Sequence, residues 1–178
     1  MKTIETERLL LRKVTLDDAQ DLFDNWGSDV KTTKFLTFKT HTTKEETMKL
    51  IDYWINNYDR GGYNWVIELK KNHQVIGMIS GNTSYKYKCI EIGYSISSKY
   101  WNKGLVTEAL NEIIKYFFNE CDFNIIEVII PSNNIASIKV AEKCGLNLEA
   151  ILKNRYKDKE NKIQDLLVYS IEGNKNYE

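Results

Sequence analysis

An α+β domain, built on one mixed and mostly antiparallel central sheet flanked by helices, is what the residue pattern of this chain predicts. Three observations carry that expectation. Three strand-like segments follow one another over short polar connections between Trp65 and Ser97, a long amphipathic stretch runs from Lys103 to Glu120, and three further strand-like segments follow it with one short helix between them. Short connections imply antiparallel neighbours, because a parallel pair needs a crossover of a dozen or more residues.

From the start of the chain, Arg8 to Arg12 reads as a short aliphatic strand, and Leu16 to Trp26 as a helix opened by Thr15, Asp17 and Asp18 and ended by Gly27. Thr42-Thr43 with Glu45 and Glu46 starts a second helix, in which Met48, Ile51, Trp54 and Ile55 recur at helical spacing until Gly61-Gly62. The strands Trp65 to Lys70, Gln74 to Ser80 and Cys89 to Ser97 are separated by the turn Lys71-Asn72-His73 and the polar stretch Asn82 to Lys88. After the long helix come a strand at Ile125 to Ile130, a helix at Asn134 to Cys144, and strands near Leu148 to Tyr156 and Gln164 to Ile171. No repeat, low-complexity tract or linker interrupts the 178 residues, so residues 1–178 are expected to form a single domain.

Composition narrows the function classes. Lys and Arg number 25 against 25 Asp and Glu, so no global field favours nucleic acid, and the charge clusters are short and of mixed sign. Hydrophobic residues at 42% give enough apolar area for a core without metal or disulfides. Cys89, Cys121 and Cys144 are odd in number and far apart, a pattern of reduced buried thiols rather than of a zinc site, and no metal is expected. Charged residues in Met1 to Glu5 fit no signal peptide, and no apolar run is long enough to span a bilayer, so a cytoplasmic protein is expected.

The informative stretch is Tyr100 to Ala109, between a strand and a helix. The first turn of a helix presents unpaired N–H groups and the positive end of the macrodipole, which makes it an anion cradle, and Gly104 lets the backbone approach a phosphate. Lys99 and Lys103 place positive charge nearby. Val106, Leu110, Ile113 and Phe117 are spaced as one buried stripe, so Val106 is expected to pack inward. A plain strand-to-helix turn is the competing reading of the same residues.

A second constellation is Pro131-Ser132-Asn133-Asn134 leading into a helix stopped by Gly145, with Asn134, Ser137 and Ala141 on one face. Taken singly, Asn134 reads as a helix cap and Ser137 as a surface hydroxyl. Together with the loop, these residues resemble the GNAT superfamily of N-acetyltransferases, and within it the ribosomal-protein N-terminal acetyltransferases of the RimJ/RimL type. Four stretches match in order: Thr6-Glu7-Arg8-Leu9-Leu10-Leu11-Arg12, Glu91-Ile92-Gly93-Tyr94, Trp101 to Ala109, and Asn134-x-x-Ser137 running on to Glu142-Lys143-Cys144-Gly145-Leu146.

The resemblance implies an acetyl-CoA-dependent enzyme. It maps the coenzyme pyrophosphate onto the amides of Asn102, Lys103, Gly104, Leu105, Val106 and Thr107, with Asn134 and Ser137 adding to the coenzyme site. The pantetheine arm maps onto a splayed strand at Tyr94, Ser95, Ile96 and Ser97. This chain departs from the family pattern in two places. Val106 stands where a small residue is usual, and Ala141 stands where many relatives carry the tyrosine that protonates the leaving thiol, a role proposed for the Asn-x-x-Ser serine, here Ser137, in the RimL-like branch. The partners implied are acetyl-CoA and an amine acceptor such as a protein N-terminus; the residues leave the oligomeric state open, a homodimer included.

Acetyl transfer needs an unprotonated amine. A lysine near pKa 10.4 is only about 0.1% neutral near pH 7.4, whereas freeing an α-amine near 7.8 costs below about 1 kcal/mol. Glu91 is the base candidate, since strand alternation sets it with Gly93 and Ser95 opposite the apolar face of Ile90, Ile92, Tyr94 and Ile96; the same carboxylate also reads as one solvated or salt-bridged on the sheet. Asp165 is the runner-up, or else a partner of Arg155. His41 and His73 fall in polar turns and are expected at the surface. Two other functions stay open beside N-terminal acetylation: acetylation of a small amine such as a polyamine or aminoglycoside, and non-catalytic acyl-CoA binding.

Overall fold

The computed structural model describes residues 1–83 and 88–173; residues 84–87 of the polar stretch Asn82 to Lys88 lie outside them. Two compact units make up the chain. The first comprises Met1–Gly81 and Tyr94–Ala109. Its strands are β1 (Ile4–Glu5), β2 (Leu9–Lys13), β3 (Tyr63–Leu69), β4 (Gln74–Thr83) as far as Gly81, and the last residues of β5 (Cys89–Ile96). β1 pairs β2, β2 pairs β3 and β3 pairs β4, all antiparallel. β3 is buried on both faces from Asn64 onward, the signature of a strand inside a sheet. Gly77 on β4 can be no other residue, because an added Cβ would stand 2.3 Å from the backbone oxygen of Ser95.

The predicted helix Leu16 to Trp26 is helical throughout but changes pitch. A 3-10 turn at Leu16–Asp18 leads into α1 (Ala19–Leu22), and a π-turn follows at Phe23–Gly27. Asp18 sets the start by accepting from the Thr15 N–H at 2.8 Å, and the same carboxylate receives Arg12 at 2.7 Å. Arg12 also holds Glu68 at 2.6 Å, and these bonds raise its pKa against the cost of burial. A short helix, α2 (Val30–Thr33), went unforeseen; Asp29 caps it by accepting from Lys31 N–H at 2.9 Å. α3 (Lys44–Tyr58) begins at the expected Thr43/Glu46 box, with Glu46 accepting from the Thr42 and Thr43 amides. Leu22, Trp26 and Ile51 form a core with Val14, Val66, Val75 and Met78.

His41 corrects a sequence expectation. It is buried, its ring 4.8 Å from that of Phe38 and its Nδ1 2.8 Å from Thr47 Oγ1, because the polar turn it occupies folds back over Gly27. His73 is exposed as expected. Burial pushes the His41 imidazole below 6.5, and attraction to Glu46 offsets only part of that. The native state thus keeps a neutral ring where the unfolded chain takes up a proton, so the contribution of His41 to stability is full above 6.5 and is lost as pH falls below it. We expect the melting temperature to drop between about pH 7 and about pH 5.5, and His41→Gln to flatten that drop. An unchanged slope in the variant would assign the effect to other groups.

The second unit comprises Asn82–Gly93 and residues 110–173. The first residues of β5 pair in parallel with β6 (Ile125–Pro131), in the register Cys89↔Ile125, Ile90↔Ile126 and Glu91↔Glu127. β6 pairs antiparallel with β8 (Ile163–Glu172), which pairs with β7 (Asn147–Lys157). Between β6 and β7 lies α5 (Ile135–Lys143), stopped by Gly145 at φ 84° as expected. The strand order β1-β2-β3-β4-β5-β6-β8-β7 gives the predicted mixed, mostly antiparallel sheet of an α+β fold.

α4 (Leu105–Glu120) belongs to the first unit up to Ala109 and to the second beyond it. Leu110, Ile113 and Phe117 are fully buried, as the stripe predicted, but Val106 is only half-buried. Leu105 and Ala109 take the inward positions instead, which rotates the buried stripe at the start of the helix. Among the described residues no helix is long and apolar enough to cross a membrane, and no group of His, Cys, Asp and Glu could hold a metal ion. No disulfide joins the three cysteines; Cys89 and Cys144 are buried as expected, Cys121 is half-buried, and burial lifts the Cys144 thiol to about 11.

Candidate active site

In the first unit, β5 ends where a 3-10 turn at Ser98–Tyr100 begins. The turn is pinned on the α2 side: Ser98 N–H donates to Thr32 Oγ1 at 2.9 Å and to Asp29 Oδ2 at 3.2 Å. Burial opposes the charge on Asp29, but hydrogen bonds from Ser98, Thr32 and Lys31 outweigh it and bring the pKa down to about 2. Trp101 Nε1 donates back to Ile96 O at 2.9 Å, tying the following loop to the strand.

Asn102 and Gly104 both take left-handed backbone, at φ 60° and 73°. That explains why α4 starts at Leu105 and not at the predicted Lys103, since a right-handed helix cannot contain them. The first helical hydrogen bond runs from Glu108 N–H to Gly104 O at 3.0 Å, so α4 supplies no acceptor for the amides of Leu105 and Val106. Asn102, Lys103 and Gly104 are exposed, and Thr107 is half-buried. The two lysines lie close by, turned onto protein groups: Lys103 Nζ reaches Lys99 O at 3.0 Å and the Tyr100 ring at 5.0 Å, and Lys99 Nζ reaches Asn25 Oδ1 at 3.4 Å.

The strand residues expected beside this loop lie in the same unit. Tyr94 and Ser95 are half-buried, and Ser95 Oγ accepts from Trp26 Nε1 at 2.7 Å. Ile96 is buried, its carbonyl taken by Trp101. Ser97 is fully enclosed: its amide donates to Ile76 O at 2.8 Å, its carbonyl accepts from Tyr100 N–H, and its hydroxyl makes no hydrogen bond. Ser97 therefore shapes the turn from inside, with its hydroxyl buried and unpaired.

The second unit holds the other candidates. Glu91 is half-buried on β5 beside Glu127 of β6, which is 5% exposed. Asn134 caps α5, its side chain accepting from Ser137 N–H at 3.3 Å, so the cap reading of Asn134 holds. Ser137 is half-buried one turn before the fully buried Ala141. Asp165 pairs with Lys153 Nζ at 2.8 Å, not with Arg155, and accepts from Asn154 N–H at 3.0 Å where β7 bulges. These bonds pull its pKa down, the wrong direction for a base at neutral pH.

Comparison with known proteins decides the family. The model of the acetyltransferase (GNAT) domain matches residues 8–147. The chain belongs to the GNAT acetyltransferase family. Along almost its full length it is similar to the uncharacterized N-acetyltransferase p20 of Bacillus licheniformis, at 30% identity over 174 residues covering 96% of each chain. The crystal structure of a GNAT-family acetyltransferase from Bacillus anthracis superimposes with a TM-score of 0.83 at 27% identity, covering 96% of this chain and 98% of that one. The fold is likewise that of RimL, a ribosomal L7/L12 alpha-N-protein acetyltransferase solved in complex with coenzyme A, with a TM-score of 0.83 at 20% identity and coverage of 98% and 100%. As a GNAT protein the chain is an acetyl-CoA-dependent N-acetyltransferase, and acetyl-CoA is its cosubstrate.

Three residues of this GNAT chain went unassigned in the sequence. Arg8 and Glu108 form an ion pair at 2.6 Å at the loop, and Trp26 anchors Ser95. Arg8 was visible as part of the family-like Thr6 to Arg12 segment and Glu108 as part of the loop motif, but nothing in the residues links positions so far apart. Trp26 ends the predicted helix Leu16 to Trp26, and its indole hydrogen bond left no sequence signal.

Proposed function

We propose that this enzyme acetylates protein N-terminal α-amines, such as that of a ribosomal protein, and that the loop Asn102–Thr107 holds the coenzyme pyrophosphate. The left-handed pair Asn102 and Gly104 ahead of the Leu105 and Val106 amides, for which α4 supplies no acceptor, carries the coenzyme reading, because it gathers backbone donors at the positive end of a helix. Tyr94, Ser95 and Ile96 border the pantetheine arm, while Ser97 supports them from within. Acetyl-CoA, when bound, supplies the acetyl thioester. Glu91 takes the proton from the incoming amine, Asn134 fixes the start of α5, and Ser137 donates a hydrogen bond to the sulfur as it leaves.

The likeness to RimL over the whole chain supports an α-amine acceptor. So does the modest demand on the base: an α-amine near pKa 7.8 is already partly neutral at pH 7, and one half-buried carboxylate suffices. A homodimer fits the exposed Leu148, Ile151, Leu152 and Ile163 on the β7–β8 hairpin, and sedimentation would measure it. The acceptor is tested by following thiol release from acetyl-CoA with peptides, polyamines and aminoglycosides. Peptides with a free α-amine are expected to react fastest; preferred turnover of a polyamine or aminoglycoside would move the assignment to small amines.

A further inference from the structure

The loop is braced from the N-terminal segment. Arg8 Nη1 donates to the Lys103 carbonyl at 2.9 Å, and Arg8 Nε donates to Glu108 Oε2 at 2.6 Å. Glu108 Oε1 in turn accepts from the Arg8 amide at 2.8 Å and from the Thr6 hydroxyl. Burial opposes the charge on Glu108, and the bonds from Thr6 and Arg8 overcome it and lower its pKa. Glu108 N–H closes the first turn of α4 onto Gly104 O. One guanidinium thus bridges the loop backbone and the first turn of the helix.

The carbonyl that Arg8 grips lies between the two left-handed residues. Lys103 C=O and Gly104 N–H belong to one planar trans peptide, so they point in opposite directions. Fixing the oxygen toward Arg8 fixes the Gly104 amide away from it. Glycine alone would let this peptide rotate at little cost. A carboxylate in the first helical turn would also oppose a bound phosphate, unless a cation holds its charge as Arg8 does here.

We infer that Arg8 and Glu108 are positioning residues that lock the Lys103–Gly104 peptide with its N–H turned toward the coenzyme phosphates. The inference rests on the loop being the coenzyme cradle. Neither residue touches the reacting atoms, so the cost of losing them falls on coenzyme binding and not on the chemical step.

The test combines kinetics with the Gly104 amide resonance in the 15N-labelled protein. The Gly104 amide is expected to shift on adding CoA to the parent. In Arg8→Ala that shift is lost, and the Kd for CoA and KM for acetyl-CoA rise about tenfold or more, while kcat at saturation stays within about threefold. Glu108→Gln, which keeps the accepting oxygen, is milder than Glu108→Ala, and Arg8→Lys, which keeps the fold and charge but not the two-pronged grip, falls between parent and Arg8→Ala. The double change Arg8→Ala with Glu108→Ala costs less than the sum of the two. Normal CoA affinity in Arg8→Lys and Glu108→Ala, or a parent that binds CoA with no change at Gly104, overturns the brace and leaves the acetyl-transfer reading standing. A parent that does not bind CoA at all overturns both.

Discussion

Gly104→Glu is expected to weaken CoA binding by at least about a hundredfold while the protein stays folded. The residue sits at φ 73°, where a side chain costs about 1–2 kcal/mol. The glutamate also adds a negative charge beside the phosphates; two such charges about 4 Å apart repel by about 4 kcal/mol at an effective dielectric near 20. Arg8 tempers that repulsion, because an added Cβ stands 3.6 Å from Arg8 Nη2 and the new carboxylate competes there with Glu108. Gly104→Ala separates the two contributions: it carries the conformational cost alone and should lose about tenfold. Calorimetric titration of CoA into both variants measures this. Equal affinity for CoA in a folded Gly104→Glu protein would place the phosphate site elsewhere.

Ser137→Ala is expected to lower turnover far more than it weakens coenzyme binding. The hydroxyl acts when negative charge grows on the sulfur, so its loss appears in kcat and hardly in Kd. Removing a comparable donor from an acyl-transfer site costs about 2.7 to 4 kcal/mol of transition-state stabilisation. Position motivates the choice: Ser137 follows the Asn134 cap by one turn, and the buried Ala141 one turn further on has no group that could protonate a thiolate. Steady-state kinetics beside an independent CoA Kd decide it. Turnover within about twofold of the parent would remove Ser137 from the mechanism and leave water as the proton donor.

The elements with a strong local signal were legible before any coordinates. Period-2 and period-3.6 patterns placed β3, β5, β6, α3 and α5 within a residue or two, β4 runs three residues past its predicted end, and the Thr43/Glu46 box and Gly145 fixed two helix ends. What the residues hid depended on contacts between distant positions. α2 is only four residues long and is held by Asp29, which spacing alone does not reveal. The π-turn at Phe23–Gly27 keeps the polar and apolar composition of an ordinary helix, so the residue pattern carries no mark of it. His41 sits in a segment as polar as any surface turn and is buried by tertiary packing alone. At the loop, Gly104 marked a backbone of special conformation, but the left-handed Asn102 and the rotation that leaves Val106 half-buried follow from how the Trp101 and Arg8 tethers set the chain.

The most direct measurement is thiol release from acetyl-CoA with two peptides identical in sequence, one with a free N-terminal amine and one with that amine already acetylated, each carrying an internal lysine. The free peptide is expected to release thiol and to gain one acetyl group at its α-amine, and the blocked peptide to give only background. Equal release from both, or acetylation of the lysine in each, would contradict an α-amine acceptor.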